Sequence, residues 1–355
     1  MKERLAAWIC AILLVTVSIV GCAGKEEAQG NSNDKADEII KTEANGESEQ
    51  SAKGQVIELR ASHTNPASSM MGVALEEFAE KINEKTEGRY HVTVYHDGQL
   101  GDERDNVEGI QLGNLDIAIV NASVLGNFVP KLGVFDLPYV IQGTEHADEV
   151  FMGKIGDDAM GWVEEAGVKG LGIWESGFRN LTNSRRPINT IDDVAGLRIR
   201  VMENEIHQKL WIALGADAVP MAWGETYTAL QQGALDGQEN PTSVILANNV
   251  QEVNKNLAMT EHIYSIVVPI MSVELWNSMS QEDQKLFQEA ADEMRIRERE
   301  IAREMAEEAV GSLKEAGMDI TYPDKKDFIE ATKEIRDTYG AEYAEILAEI
   351  EALAK

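Results

Sequence analysis

Five arginines, Arg179, Arg185, Arg186, Arg198 and Arg200, fall within one short segment that holds only two acids, Asp192 and Asp193. Against a chain of 62 acids and 32 lysines and arginines, with a formal net charge of −30, this is a positive island. Each guanidinium presents a planar fork of N–H donors that meets a carboxylate with two parallel hydrogen bonds. The overall field of the chain repels small anions at long range, so an anion site demands local positive charge of this kind. Pairing with the surplus surface acids is the competing reading for each arginine taken alone.

Other chemistries lack their equipment. There is no Gly-x-Ser-x-Gly elbow, no glycine-rich loop spaced to cradle phosphate and no histidine pair at metal-ligand spacing. His63, His91, His96, His146, His207 and His262 stand singly. Acid pairs are too common at this composition to suggest a glycosidase. No catalytic residue, cofactor or metal is expected. The negative charge also excludes nucleic acid as a partner, because such binding needs a basic face.

The elements that must position the arginines follow from periodicity. Residues 197–201 alternate strictly, so Leu197, Ile199 and Val201 face a core while Arg198 and Arg200 share the opposite face. Thr190 and Asp193 read as a capping box for a short helix closed by Gly196. Upstream, residues 56–60 read as a strand, and a turn runs through His63, Asn65 and Pro66. Val73, Leu75, Phe78, Ala79 and Ile82 then recur at helical spacing until Gly88. Tyr90, Val92 and Val94 alternate with His91 and Thr93 as a second strand, which opens an α/β domain.

Residues 110–116 echo residues 230–236, with a helix ending at Gly113 or Gly233 and a strand beginning near Leu115 or Leu235. The echo implies two α/β halves of similar design that share a cleft. Near the end, Ser280 caps a helix whose apolar positions Leu286, Phe287, Ala290, Met294, Ile301, Met305, Ala309 and Leu313 keep the helical period until Gly317. At 1.5 Å per residue it reaches roughly 50 Å, long enough to brace two domains. Further helices are expected over 326–339 and from 342 onward.

Lys2 and Arg4 precede an apolar run over 5–20 and the small residues Gly21 and Ala23, the layout of a bacterial export signal. The run barely reaches the ~18 residues of a spanning helix, so it reads as removed on export. Residues 23–54 are mostly Glu, Lys, Ser, Asn, Gln and Gly, with little to bury, and read as a disordered tether. With Cys10 inside the signal, the mature protein keeps one thiol, Cys22, and no disulfide. The remaining ~300 residues suffice for two domains.

The run from Gly215 through Pro220-Met221-Ala222-Trp223-Gly224 leads to Leu230-Gln231-Gln232-Gly233-Ala234-Leu235-Asp236-Gly237-Gln238-Glu239-Asn240-Pro241. With Gly177-Phe178-Arg179 ahead of it, this region resembles the signature of the TRAP-transporter solute-binding proteins, the C4-dicarboxylate-binding type. The resemblance continues in Gln99-Leu100-Gly101, Leu115-Asp116, Phe135-Asp136-Leu137-Pro138-Tyr139 and Glu252-Val253 through His262. It covers essentially all of the chain after residue 55.

The resemblance implies an α/β, two-domain fold of the periplasmic-binding-protein type, with a ligand cleft between domains, hinge strands and a long helix spanning both. Domain I is expected over 55–176 plus about 266–305, and domain II over 177–265 plus about 306–355. In the family an arginine on the strand matching 197–201 clamps the ligand carboxylate, which here is Arg200. A second arginine corresponds to Arg179, and an asparagine before a proline, Asn240, completes the carboxylate site.

Trp223 matches an aromatic position that lines the cleft. Asn121 matches the end of a strand facing it, where some sialic-acid-binding relatives carry a glutamate, so the asparagine speaks against an amino-bearing ligand. His63 and Thr64 fall in a loop bordering the cleft. Glu239 reads as a structural partner that orients a clamp arginine, because a carboxylate against an anionic ligand is unfavourable. Arg185, Arg186 and Arg198 read as surface or supporting residues.

Ile19-Val20-Gly21-Cys22 resembles a lipobox, which implies a signal peptide over 1–22 that ends at an acylated Cys22. The function implied is that of a receptor and not of an enzyme. A lipid-anchored monomer outside the cytoplasmic membrane would capture a small organic acid, a sugar acid or C4-dicarboxylate, and close over it. It would then deliver the acid to integral-membrane TRAP subunits. A receptor that signals to a sensor kinase, and a secreted hydrolase, are the alternatives.

Overall fold

The computed structural model describes residues 56–354. The expected signal peptide, its Cys22 and the tether over 23–54 lie outside the described residues.

Short runs of β-branched and apolar residues build several of the strands, although one, Gly237–Asn240, carries no apolar side chain. The first five are β1 (Ile57–Ser62), β2 (Tyr90–Tyr95), β3 (Ile117–Asn121), β4 (Val168–Gly170) and β5 (Trp174–Phe178). The next four are β6 (Asn180–Asn183), β7 (Arg198–Val201), β8 (Asp217–Pro220) and β9 (Gly237–Asn240). The last three are β10 (Asn256–Ala258), β11 (Tyr264–Ser272) and β12 (Asp319–Thr321).

One sheet has the order β2-β1-β3-β11-β4, with β5 also pairing β11, and the other has the order β12-β10-β6-β9-β7-β8. In the first, β1 runs parallel to β2 and β3 while β11 runs antiparallel to β3, β4 and β5. In the second, β7 runs parallel to β8 and β9. All nine residues of β11 are buried, as its near-continuous apolar sequence requires of a strand covered on both faces.

The helices that matter for the site are α1 (Met70–Lys85), α2 (Glu103–Gln111), α3 (Ala122–Leu125), α4 (Glu205–Ala213), α5 (Trp223–Gln231), α6 (Thr242–Ala247) and α7 (Gln281–Glu315). The apolar stripe of α1, including Leu75, Phe78 and Ile82, shares one core with Phe287, Ala290 and Met294 of α7. Ser280 caps α7 by accepting from the Asp283 backbone N–H at 3.1 Å. The 35 residues of α7 span ~52 Å. The Thr190–Asp193 box also forms, but it closes a 3₁₀ turn, Ile191–Val194, and not a longer helix.

The internal echo is structural. Helix α2, Gly113, β3 and Asn121 in the first half repeat as α5, Gly233, β9 and Asn240 in the second. Gly113 and Gly233 adopt φ of +71° and +69°, the left-handed turn that ends a helix without a Cβ clash. The chain then enters α3 at Asn121 and α6 just after Asn240.

The polypeptide passes between the two sheets at Arg179, the single residue separating β5 from β6, and returns over 259–263 between β10 and β11. The Arg179 backbone N–H donates to Ile263 O at 2.9 Å, tying the two crossings together.

Candidate functional site

A narrow cleft pocket of about 30 Å³ is lined by residues from both sheets and their following turns. Arg200 projects into it from β7. Its alternation partners Ile199 and Val201 are fully buried in the core, as the pattern predicts. The two arginines on the other face differ: Arg198 is exposed, whereas Arg200 is only 3% exposed because Trp223 and the facing half cover it.

The Arg200 Nε donates to Met221 O at 2.8 Å, and the guanidinium lies 5.3 Å from the Trp223 ring centroid. That is a cation–π distance. Its two terminal nitrogens make no hydrogen bond to any described residue. Burial lowers the pKa to about 10, so the group stays charged at neutral pH. A cation held this way, with a free fork of donors, has the geometry to accept a carboxylate.

Arg179 also lines the pocket but is committed elsewhere. Its Nε donates to Glu239 Oε2 at 2.5 Å and its Nη2 to Glu239 Oε1 at 2.9 Å and to the Glu239 backbone O at 2.6 Å. Only Nη1 points elsewhere, toward Ser265 Oγ at 3.4 Å. Glu239 therefore takes the orienting role expected of it. His262 Nε2 donates to the same carboxylate at 2.9 Å, and His207 lies between Glu239 and Asp136, 3.2 Å from Asp136 Oδ1.

Burial disfavours the Glu239 carboxylate, but the Arg179 charge and the bonds from His207 and His262 outweigh it and hold the pKa well below the usual range. Burial likewise opposes a charged His207, yet Asp136 and Glu239 raise its pKa. For His262 burial prevails and the pKa is lowered.

Asn240 ends β9 in the pocket, with its Nδ2 donating to Gln238 Oε1 at 2.6 Å. Asn121, its counterpart, lines the pocket too. Its Oδ1 accepts from Ser123 N at 3.0 Å as the cap of α3, and its Nδ2 donates to Ser265 Oγ at 2.8 Å. Thr64 lines the pocket, and Trp223 forms the wall between it and a neighbouring hollow.

His63 is not a lining residue. It is fully buried behind the loop, 2.7 Å from His96 Nδ1 through Nε2 and accepting from Asn65 N at 3.3 Å through Nδ1. Burial and then the charge of His96 lower its pKa to about 4, so it is neutral. Arg185 and Arg198 lie near Asp236 outside the pocket, and Arg186 bonds backbone carbonyls of Asp193 and Ala195.

The structure adds residues that the spacing did not single out: Asn65, Met71, Ser176, Met202, Val244 and Glu103. Glu103 opens α2, and its Oε1 accepts from the Asn121 backbone N–H at 2.9 Å. Burial pushes its pKa up to about 7, against the pull of that N–H and of Arg200 and Arg179. Its sole signal in the sequence is that it closely follows Gln99-Leu100-Gly101. Bonds also cross the cleft: Gly224 N donates to Asp102 Oδ1 at 3.1 Å, and Asn248 Nδ2 to Asn65 Oδ1 at 2.9 Å.

Among the described residues no group of three or more His, Cys, Asp or Glu could hold a metal ion. No described helix is long and apolar enough to cross a membrane.

Known proteins share this architecture. Residues 61–342 match the family described as bacterial extracellular solute-binding protein, family 7. The 2,3-diketo-L-gulonate-binding periplasmic protein YiaO of Escherichia coli is 29% identical over 283 residues, 79% of this chain and 86% of its own. A TRAP periplasmic solute-binding protein from a Polaromonas species, solved with D-erythronate, is 36% identical with a TM-score of 0.82, covering 84% of this chain and 99% of its own. Another, from Sulfurospirillum deleyianum with succinate, is 26% identical with a TM-score of 0.80, covering 84% and 99%. With its two sheets meeting at an arginine-lined cleft, the chain belongs to the family 7 bacterial extracellular solute-binding proteins, the two-domain, extracytoplasmic receptors of TRAP transporters.

Proposed function

We propose that this receptor captures a small organic acid, a sugar acid or C4-dicarboxylate, and hands it chemically unchanged to integral-membrane TRAP subunits. The observation that carries the reading is Arg200, a side chain only 3% exposed whose terminal guanidinium nitrogens face the cleft with no acceptor among the described residues. A carboxylate there takes two charge-assisted hydrogen bonds. Nη1 of Arg179 and the amide of Asn240 complete its shell, while Trp223 packs against the carbon chain. Thr64 and Asn121 are further ligand contacts. The relatives that hold D-erythronate and succinate support a carboxylate as the cargo.

Capture proceeds by closure of two lobes, 55–176 with about 266–305 and 177–265 with about 306–355. They hinge at Arg179 and over 259–263, with α7 packed along both. Contacts that exist only in the closed form drive closure. The protein acts as a monomer. Residues 1–21 are removed on export, Cys22 becomes the acylated N-terminus, and residues 23–54 tether the receptor to the outer face of the membrane. Replacing Cys22 by Ser should release it from the membrane fraction.

A thermal-shift screen against uronates, aldonates, keto acids and C4-dicarboxylates tests the reading. A ligand at a hundred times its Kd adds ~2.7 kcal/mol and raises Tm by several degrees. Shifts with neutral sugars or cations and with no acid would overturn it.

A further inference from the structure

We infer that the cleft is built for an acid with a single carboxylate and a hydroxylated remainder, and that it discriminates against acids carrying a second carboxylate. The inference rests on the carboxylate-receptor reading above and narrows it.

It follows from which charges around the cleft are already answered. Two cations line the pocket, Arg179 and Arg200. Arg179 is matched by Glu239 through two side-chain bonds, at 2.5 and 2.9 Å. Any charge on His207 faces Asp136 at 3.2 Å as well as Glu239. Of the two, Arg200 has no side chain hydrogen-bonded to it, so its fork can seat one carboxylate, with the Glu103 carboxylate already nearby.

The other ionisable groups around the cleft are predominantly acids. Glu103 lines the pocket, and Asp102 reaches across its rim to Gly224. Asp97 lines the hollow beyond Trp223. Arg104, which lines the rim beside Glu203, is exposed and paired with Glu108 at 3.1 Å. His63 and His96 are bonded to each other behind the loop. A second carboxylate would therefore find no unanswered cation among these residues and would add to the charge of Glu103 and Asp102, where like charges repel. A hydroxyl at the same place donates to the Glu103 carboxylate, and Thr64, Asn65 and Ser176 offer further polar partners.

Matched acids that differ only in whether the far end is oxidised to a carboxylate test this directly: D-erythronate with meso-tartrate, D-galactonate with galactarate, and D-gluconate with D-glucarate. Titration calorimetry of the purified protein at pH 8 should show the single-carboxylate member of any bound pair at least ~30-fold tighter. Glu103→Gln, whatever it costs the single-carboxylate acid, should narrow that gap about tenfold. Equal or tighter binding of the diacid by the native protein overturns the inference and leaves the receptor reading intact. An unchanged gap in Glu103→Gln overturns it as well. No binding by any of the six acids overturns both.

Discussion

The guanidinium of Arg179 and the carboxylate of Glu239 form a bidentate pair, 2.5 and 2.9 Å, with the two side chains 1% and 0% exposed. Arg179 is the one residue between β5 and β6, so this pair fixes the point where the chain crosses from sheet to sheet. Its place in the fold suits it to fasten the crossing, apart from any share it takes in the proposed clamp.

Removing one partner leaves a buried charge unanswered. Glu239→Gln should lower stability by about 3 to 5 kcal/mol, read as a large fall in Tm. The pH dependence has a defined sign. The Glu239 pKa is depressed in the folded protein, so its contribution is complete above about pH 5 and is lost as pH falls through the folded value. Thermal melts between pH 3 and 7 should show that loss in the native protein and not in Glu239→Gln.

Arg200 behaves differently because no side chain pairs with it. Arg200→Ala should weaken capture of the cognate acid at least ~100-fold, about 3 kcal/mol, with Tm of the unliganded protein unchanged or raised. Arg200→Lys keeps the charge but loses the fork, and should still lose tenfold or more. Calorimetry and melts on the same samples separate the two effects. Native affinity in Arg200→Ala would remove this residue from the clamp.

Glu103, with its pKa near 7, lies close to Arg200, Arg179 and Asp102. It gains negative charge as pH rises through that value, so binding of both acids should weaken between pH 6 and 8, the diacid more steeply. In Glu103→Gln the diacid curve should be flat.

Asp102 caps a helix that belongs to the other half. The N-cap of α5 is Ala222, which offers no side-chain acceptor, and the Gly224 N–H instead finds Asp102 across the cleft. Opening breaks this bond. Asp102→Ala should speed ligand release by roughly 3- to 10-fold, in line with the ~1 kcal/mol of a helix cap. Asp102→Asn, which keeps the acceptor, should restore most of it. Stopped-flow displacement reads both.

Glu298 on α7 is buried with its Oε2 accepting from Glu175 N at 2.7 Å and its Oε1 without a partner. Burial, with the Glu175 charge, lifts its pKa to about 8. The folded protein holds a proton that the unfolded chain releases above ~4.3, so stability falls as pH rises toward 8. Glu298→Gln should raise Tm by several degrees at pH 8 and have little effect at pH 4.

Much of this was legible in the residue order. Local signals placed α1, α7 with its Ser280 cap, strand β7 and the repeated helix-glycine-strand joint, because caps, periods and left-handed glycines act over a few residues. The arginine island stood out by composition, and Glu239 was readable as a structural acid because an anion site rejects a free carboxylate. Glu103 and Asp102 were not singled out, since one acid looks like another among 62. His63 was misplaced because its turn borders the cleft while its ring packs on His96 behind it.

The sequence by itself determined that a positive site is held on two similar α/β halves, since alternation and capping depend on neighbours in the chain. Only the tertiary structure decided which arginine is free. Arg198 and Arg200 share one strand face, and Arg179 has the same fork, but the packing of β9 places Glu239 against Arg179 and leaves Arg200 to the cleft. Burial and partners come from residues distant in sequence, and those contacts set what a charge can do.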